Sequence, residues 1–396
     1  MILRGHKFSI QNALNKFFGA LGQVFSVPTP SAYSHARKKL KPEVFIHLNE
    51  VVCEDFYQLY GADSEVKTWR GQRVLGYDGT YLNLPDTQEL RQHFTVQRNQ
   101  HQSSCVQALA GVLYDLRNDL GLAATLAKVQ AEKNLLINEL WSATRQGDLL
   151  VMDRNFADYA VIGWAVKTGR NVLIRCPSQT FSLVNDFWKA EQSEAIVTLS
   201  VPQSATTKEF VLKHQLPEQI KVRLLKFTLE TGETEVLLTT LLDRHRYPTA
   251  EFKQVYGWRW GQETYYDRIK NIFEVERFSG FSETVIRQDF HGVIFLATLE
   301  SVLVKRPQAE LIERDLERQN QTPAQVNRVV SYVTLIDRVT QLLVDPRSNP
   351  EQTLSEIEHL LKTNPTRNPK GRQFEREKLK HSRKLRFHRY IKRLIA

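Results

Sequence analysis

Between residues 67 and 178 the chain alternates in an order that few architectures accommodate. Three strand-like apolar runs come first, at 73–84, 105–114 and 120–129. A helix is predicted near 131–145, then a strand at 148–153, a helix at 157–168 and a strand at 171–176. Short apolar runs bounded by turn residues read as buried strands, and apolar positions three or four apart read as helix. This β-β-β-α-β-α order suits a mixed sheet covered by helices. In such a sheet the first and fourth strands can lie side by side, so residues 75 positions apart in sequence can meet.

Two of those strands carry an aspartate. Asp78 lies in R73-V-L-G-Y-D78-G-T-Y-L-N-L-P, and Asp153 in D148-L-L-V-M-D153-R-N-F. A lone aspartate after a strand is often a turn or cap residue: Asp78 precedes Gly79, and Asp153 could cap a helix starting near Ala157. A third acidic residue changes the weighing. Y256-G-W-R259-W-G-Q-E263-T-Y-Y-D-R-I-K270 reads as one helix opened by Pro248 and Thr249. At about 100° per residue, Arg259, Glu263 and Lys270 sit near 300°, 340° and 320° from Tyr256. Arg, Glu and Lys at such spacings are commonly solvated partners on a helix surface. Together with the two strand aspartates they make a shared site the better reading: carboxylates for a divalent metal, Arg and Lys for phosphate.

These residues resemble the DDE transposases of bacterial insertion sequences, specifically the insertion sequence 4 family. That family is marked by Y-x2-R-x3-E-x6-K, which Tyr256, Arg259, Glu263 and Lys270 match at every spacing. The D-G-T at 78–80 and D-R-N-F at 153–156 resemble its two aspartate motifs. L-L-T-T-L-L-D-R-H-R-Y-P at 237–248 resembles the segment before its glutamate helix, and S31-A-Y-S-H-A-R-K-K-L-K-P42 its amino-terminal region. The likeness covers roughly residues 25–300. Asn155 departs from it, standing where many members have Gly; Asn tolerates left-handed backbone angles.

The resemblance implies a ribonuclease H-like fold. It also implies DNA end cleavage and strand transfer with Mg²⁺ as a pair of ions, Mn²⁺ being a substitute. Asp78 would bridge both ions, with Asp153 on one and Glu263 on the other; no Cys or His cluster points to zinc. Arg259, Lys270 and Tyr256 would hold phosphate. The family cuts through a DNA hairpin, which distorts the terminal base pairs. Trp188 in the insertion is a candidate to stack on a flipped base, against the alternative of packing under its own sheet. Trp258 and Trp260 are expected in the core, and His101, His245 and His291 as isolated structural or exposed residues. The implied partners are double-stranded DNA, as transposon ends and target, and a second copy in a dimer docked through the helical region after about residue 306.

The implied organisation has three parts. Residues 1–66 form a helical DNA-binding region, in which Arg37, Lys38 and Lys39 are expected to contact DNA; charge alone would favour a solvated face. Residues 67–305 are the catalytic domain, with a β-rich insertion at about 179–247 built from runs at 195–201, 208–213, 220–228 and 234–242. A second long helix is predicted over Glu283–Lys305. Residues 306–396 are helical and end in a basic tail. The net charge of +10 belongs to that tail, since residues 366–396 hold twelve Lys and Arg and two Glu, and the remaining charges cancel. A basic tail favours a polyanion such as nucleic acid, or is a solvated disordered end. Cys53, Cys105 and Cys176 form no C-x2-C pair, which fits a reducing cytoplasm. No apolar run reaches membrane-spanning length, and the first 25 residues lack the core of a secretion signal. Two other readings remain: a ribonuclease H-like nuclease without strand transfer, which the Tyr-Arg-Glu-Lys spacing and the long insertion oppose, and a domesticated DNA-binding protein, which the intact acidic trio opposes.

Overall fold

The structure is a computed structural model that describes residues 2–4, 9–62, 66–98, 104–228 and 232–367. His101 and the basic tail beyond Arg367 lie outside the described residues. Three helices come first, α1 (Ile10–Ala20), α2 (Pro30–Lys39) and α3 (Glu43–Ala62). The hydroxyls of Ser9 and Thr29 cap the first two, accepting from Asn12 N at 3.3 Å and Ala32 N at 3.2 Å. Next come β1 (Val74–Leu84), α4 (Gln88–His93), β2 (Thr95–Arg98), β3 (Ser104–Asp115) and β4 (Leu120–Ala127). α5 (Glu132–Leu135) continues through a π-turn and a 3-10 turn to Ala143, followed by β5 (Leu149–Met152), α6 (Tyr159–Lys167) and β6 (Asn171–Arg175). The insertion holds α7 (Ser182–Lys189), β7 (Glu194–Ser200), α8 (Ala205–Lys213), β8 (Gln219–Thr228) and β9 (Thr234–Thr239). The chain continues with α9 (Thr249–Gly257), α10 (Trp260–Asn271), α11 (Glu283–Glu317), β10 (Ala324–Val326), α12 (Arg328–Leu343), α13 (Pro350–Thr363) and β11 (Pro365–Arg367). No described helix is long and apolar enough to cross a membrane, and none of the three cysteines forms a disulfide.

Two compact units interleave along the chain. One comprises Asp55–Tyr81 and Leu109–Tyr266, the other Met1–Glu54, Leu82–Ala108 and Asp267–Ala396. In the first, strands neighbour one another in the order β4, β3, β1, β5, β6, β9, β8, β7. β1, β5 and β6 are parallel, β4 is antiparallel to β3, and β9, β8 and β7 follow antiparallel. This is the expected ribonuclease H-like mixed sheet, with the first strand beside the strand that ends at the second aspartate. Every residue of β5 is buried, as are Val74–Tyr77 of β1, because helices cover both faces. Val74, Leu149, Val151, Leu173, Leu225 and Leu237 form one core with Phe252 and Val255 of α9. Each such side chain contributes roughly 1.5–3 kcal/mol by leaving water.

Three expectations about the elements need correction. The insertion is not wholly β: 208–213 lies in α8, where Val211 is buried, and α7 precedes β7. A short run of mixed polarity fits either period, and only packing decides. β9 also pairs with β6, so the insertion extends the same sheet. The long helix does not stop at Lys305 but runs on through Pro307 to Glu317. The third correction, in the glutamate helix, belongs to the site below.

In the second unit, α2 is pinned to α11. Arg37 is buried; its guanidinium donates to Gln288 Oε1 at 2.7 Å, Ser279 Oγ at 2.5 Å and Asp289 Oδ1 at 2.5 Å. Gln288 returns bonds to the carbonyls of Arg37 and Leu40. Arg37 is therefore a packing residue and not an exposed DNA contact; Lys38 and Lys39 beside it are exposed. Val304 and Leu311 of α11 share a second core with Ala324, Val326, Ile357 and Leu361. Asp315 closes that end by accepting from Arg367 at 2.7 Å.

Candidate active site

The pairing of β1 with β5 sets the site. Val74 lies opposite Leu149 and Gly76 opposite Val151; carried two residues further, the register levels Asp78 with Asp153. Parallel neighbours are about 4.8 Å apart, so Asp78, midway along β1, lies beside Asp153, the residue that follows β5. Asp78 Oδ1 accepts from Gly79 N at 2.9 Å. Asp153 caps a 3-10 turn at Arg154–Phe156, accepting from Asn155 N at 2.8 Å, while Asp158 caps α6. Capping and a place in the site are thus compatible. Asn155 does not use the left-handed freedom allowed for it.

Glu263 comes from α10, which docks through residues one turn apart. Gln262 is fully buried and donates to Val112 O at 3.2 Å; Tyr266 accepts from Val112 N at 3.1 Å and donates to Asp78 O at 2.5 Å. Close approach depends on Gly76, where a Cβ would lie 3.0 Å from Gln262 Oε1 and 2.9 Å from Leu116. The expected single helix is broken: α9 ends at Gly257 and α10 begins at Trp260. Arg259 N bonds Tyr256 O at 3.0 Å and Gln262 N bonds Arg259 O at 2.9 Å, the tighter i to i+3 pattern. Arg259 still reaches Glu263, pairing with its Oε1 at 2.8 Å, and its guanidinium lies 5.8 Å from the Tyr256 ring. Tyr256 joins them by packing across the break. Lys270 lies on the last turn of α10 in the other unit, where burial lowers its pKa against the pull of Glu276.

Tertiary packing adds groups that sequence reading missed. Glu132, the first residue of α5, reads in sequence as an ordinary acid in a first helical turn. Its carboxylate fills the space beside Gly79, where an added Cβ would meet Oε1 at 2.7 Å. Burial, then Asp78 and Asp153, raise its pKa to about 7. Asp78 is raised to about 6, by burial first and then by Asp153 and Glu263, opposed by Gly79 N–H and Arg259. Four carboxylates thus share one field with Arg259 as the close counter-charge. Arg175, at the end of β6, pairs with Glu235 at 3.2 Å, and both act on Tyr256. Trp260, expected in the core, is 63% exposed with the Arg259 guanidinium 5.4 Å from its ring. Trp258 instead packs against the core, under Arg117 at 3.9 Å. Trp188 lies on α7 and not on a strand, half-buried, its indole N–H buried without a hydrogen-bond partner.

The donor set, all carboxylate oxygen, fits a hard divalent cation such as Mg²⁺. In the arrangement described, Glu263 is engaged by Arg259, and among the described residues no three His, Cys, Asp or Glu groups converge on one point.

The sheet thus sets Asp78 beside Asp153, and α10 brings the Arg259–Glu263 pair within the same unit. Residues 69–299 match the family described as the transposase DDE domain, more than half of the chain, and the chain belongs to that family. It is 24% identical over 273 residues to the transposase InsG for insertion sequence element IS4 of Escherichia coli (strain K12), in agreement with the insertion sequence 4 resemblance. That match covers 68% of this chain and 60% of the relative, so the chain spans less than two thirds of its length. A cryo-EM structure of the piggyBac transposase synaptic complex with hairpin DNA is 8% identical, with a TM-score of 0.41 over 73% of this chain and 57% of the other.

Proposed function

We propose that the chain is an active transposase that binds the terminal inverted repeats of an insertion sequence, cleaves the ends and joins them to target DNA. The observation that carries this is the levelling of Asp78 with Asp153 on adjacent parallel strands, with the Arg259–Glu263 pair delivered by α10. Asp78, Asp153 and Glu263 are the residues to hold Mg²⁺, which when bound activates a water and stabilises a leaving oxygen. Arg259 grips the phosphate beside the scissile bond. Its buried Nε has no partner, a donor held ready for an anion. Tyr256 lines the same wall. Lys270, Lys38 and Lys39 add phosphate contacts. The base-stacking role suits Trp260 better than Trp188, because a ring must be exposed to receive a base. A homodimer holding two ends is supported by apolar residues left exposed at one-turn spacing, Val329 and Val333 on α12 and Ile312 and Leu316 on α11. The protein would act in the cytoplasm, where the DNA is.

The test is Mg²⁺-dependent cleavage of DNA carrying the element's ends, with Asp153→Asn as the inactive control. Short inverted repeats beside the reading frame, bounded by a direct duplication, would supply those ends. A Glu263→Ala protein that still cuts would falsify the assignment. Cleavage without joining would favour a nuclease.

A further inference from the structure

The end of the parallel strands opposite the carboxylates carries a second polar cavity. Its volume is about 410 Å³, and Gln72, Arg73, Arg145, Gln146, Asn171 and Arg246 are among its lining residues. All belong to the unit that holds Asp78. Its walls are fixed by backbone geometry. Trp69 and Gln72 exchange two hydrogen bonds of 2.9 Å around Arg70 and Gly71, both at positive φ, and Gly147, also at positive φ, bonds Gly169 O at 2.8 Å. Asp148 and Asp153 flank β5 five residues apart, so the two ends are roughly 16 Å apart.

The charge in this cavity is unbalanced. Three arginines line it against one carboxylate, Asp148. Arg73 is committed to Asp148 through two bonds of 2.9 and 2.6 Å. Arg145 and Arg246 have no ion pair among the described residues; each lies over a tyrosine ring, Tyr57 at 5.1 Å and Tyr247 at 5.3 Å. Among the described residues Arg145 has no such pair, and Arg246 meets only the exposed Asp243, whose carboxyl pKa it helps to lower; planar guanidiniums in such cationic excess favour phosphate. A second observation narrows the ligand. Gln72 is 7% exposed, and its buried Oε1 has no hydrogen-bond partner. A buried acceptor of this kind calls for a hydrogen-bond donor. A phosphodiester supplies none, whereas a nucleotide carries phosphate and, on its base, N–H groups.

We propose that this cavity is a second DNA site, which takes a phosphate-bearing nucleotide of a strand distinct from the one at the carboxylates. The choice of DNA over a free nucleotide rests on the reading of the chain as a transposase; the nucleotide chemistry does not. Arg145 and Arg246 hold the phosphate, and Gln72 Oε1 accepts from the base.

Fluorescence anisotropy on the full chain tests this, with a labelled 5′-phosphorylated tetranucleotide and a labelled 20-base-pair duplex that lacks the element's ends. Unlabelled dAMP and inorganic phosphate serve as competitors. Removing both arginines, as Arg145→Gln with Arg246→Gln, should weaken binding about tenfold and lower the salt slope by about one, for the one phosphate they share. Lys213→Gln with Lys221→Gln removes equal charge from exposed positions of the insertion and should change affinity less than about twofold. Gln72→Leu should raise the melting temperature of the free protein yet weaken tetranucleotide binding. The proposal is overturned if both double variants lose affinity equally, if Gln72→Leu binds normally, or if inorganic phosphate displaces the label as well as the oligonucleotide does. Displacement by dAMP at the oligonucleotide's own concentration would assign the cavity to a free nucleotide and overturn the DNA site. If end cleavage is absent while these arms behave as expected, the transposase reading fails and the cavity stands.

Discussion

The two ends of the parallel strands β1 and β5 make opposite use of charge. At the carboxyl end, Asp78, Asp153, Glu132 and Glu263 face Arg259 as their close cation, and two of the four are pushed toward the neutral form. At the amino end, Arg73 and Asp148 satisfy each other with both side chains at most 10% exposed, and two further arginines line the same cavity without a contact ion pair among the described residues. Both ends rest on the same buried strands. One stores repulsion that a cation would relieve, and the other holds a closed ion pair beside cationic excess. Chemistry is expected where charge is left uncompensated, and stability where it is paired.

The largest effect should come from the carboxyl end. Asp78→Ala, Asp153→Ala and Glu263→Ala should each reduce Mg²⁺-dependent cleavage on the order of a thousandfold or more, the loss of several kcal/mol of transition-state stabilisation. End-DNA binding, read by gel shift, should stay within severalfold. Parallel loss of binding would mean that the residues hold the fold and not the reaction.

The amino end should respond in stability. Asp148→Ala leaves Arg73 buried without its partner and strips the acceptor for Arg145 N at 2.6 Å. Such removals cost about 3 to 5 kcal/mol, measurable by urea denaturation. A cost below 1 kcal/mol would show that the pair is as solvated as a surface bridge.

Stability should also depend on pH in the direction that the carboxyl end dictates. Asp78 and Glu132 have folded pKa values above their ordinary ones, so the folded state binds more protons than the unfolded state across that interval. Stability should therefore fall as pH rises from about 4 to about 7 in metal-free buffer, recovering when pH is lowered. Asp78→Asn or Glu132→Gln should remove part of this slope and stabilise the protein at pH 7.5 by about 1–2 kcal/mol, after allowance for partial exposure. An unchanged pH profile in both variants would contradict the shared field. Glu132→Gln also asks whether the fourth carboxylate serves cleavage: lost activity in a stabilised protein would place it in the reaction.

The smallest effect should fall on phosphate contacts. Arg259→Ala should lower the salt slope of end binding by about one. A slope that stays the same in a folded variant would mean that Arg259 serves to hold Glu263.

Much of the sheet and of the candidate site was legible in sequence because it depends on local, periodic signals. The apolar runs before Asp78 and Asp153 are buried strands as read, and their neighbouring placement follows from the order of elements. The spacing from Arg259 to Glu263 and Lys270 identified the family without any coordinates. Other features follow from distant packing and left no local trace. Arg37 reads as one of three basic residues in a row, and only α11, some 250 residues later, supplies the Gln288 and Asp289 that bury it. The break at Trp258 and Arg259 is set by core contacts that seat Trp258 while Trp260 turns outward. Glu132 looks like any acid at a helix start until Gly79, 53 residues earlier, leaves room for its carboxylate. The sequence by itself determined which segments are buried and which residues could carry the chemistry, because burial and periodicity are written within a few residues. Only the tertiary structure decided which charges meet, because an electrostatic field is set by distance in space.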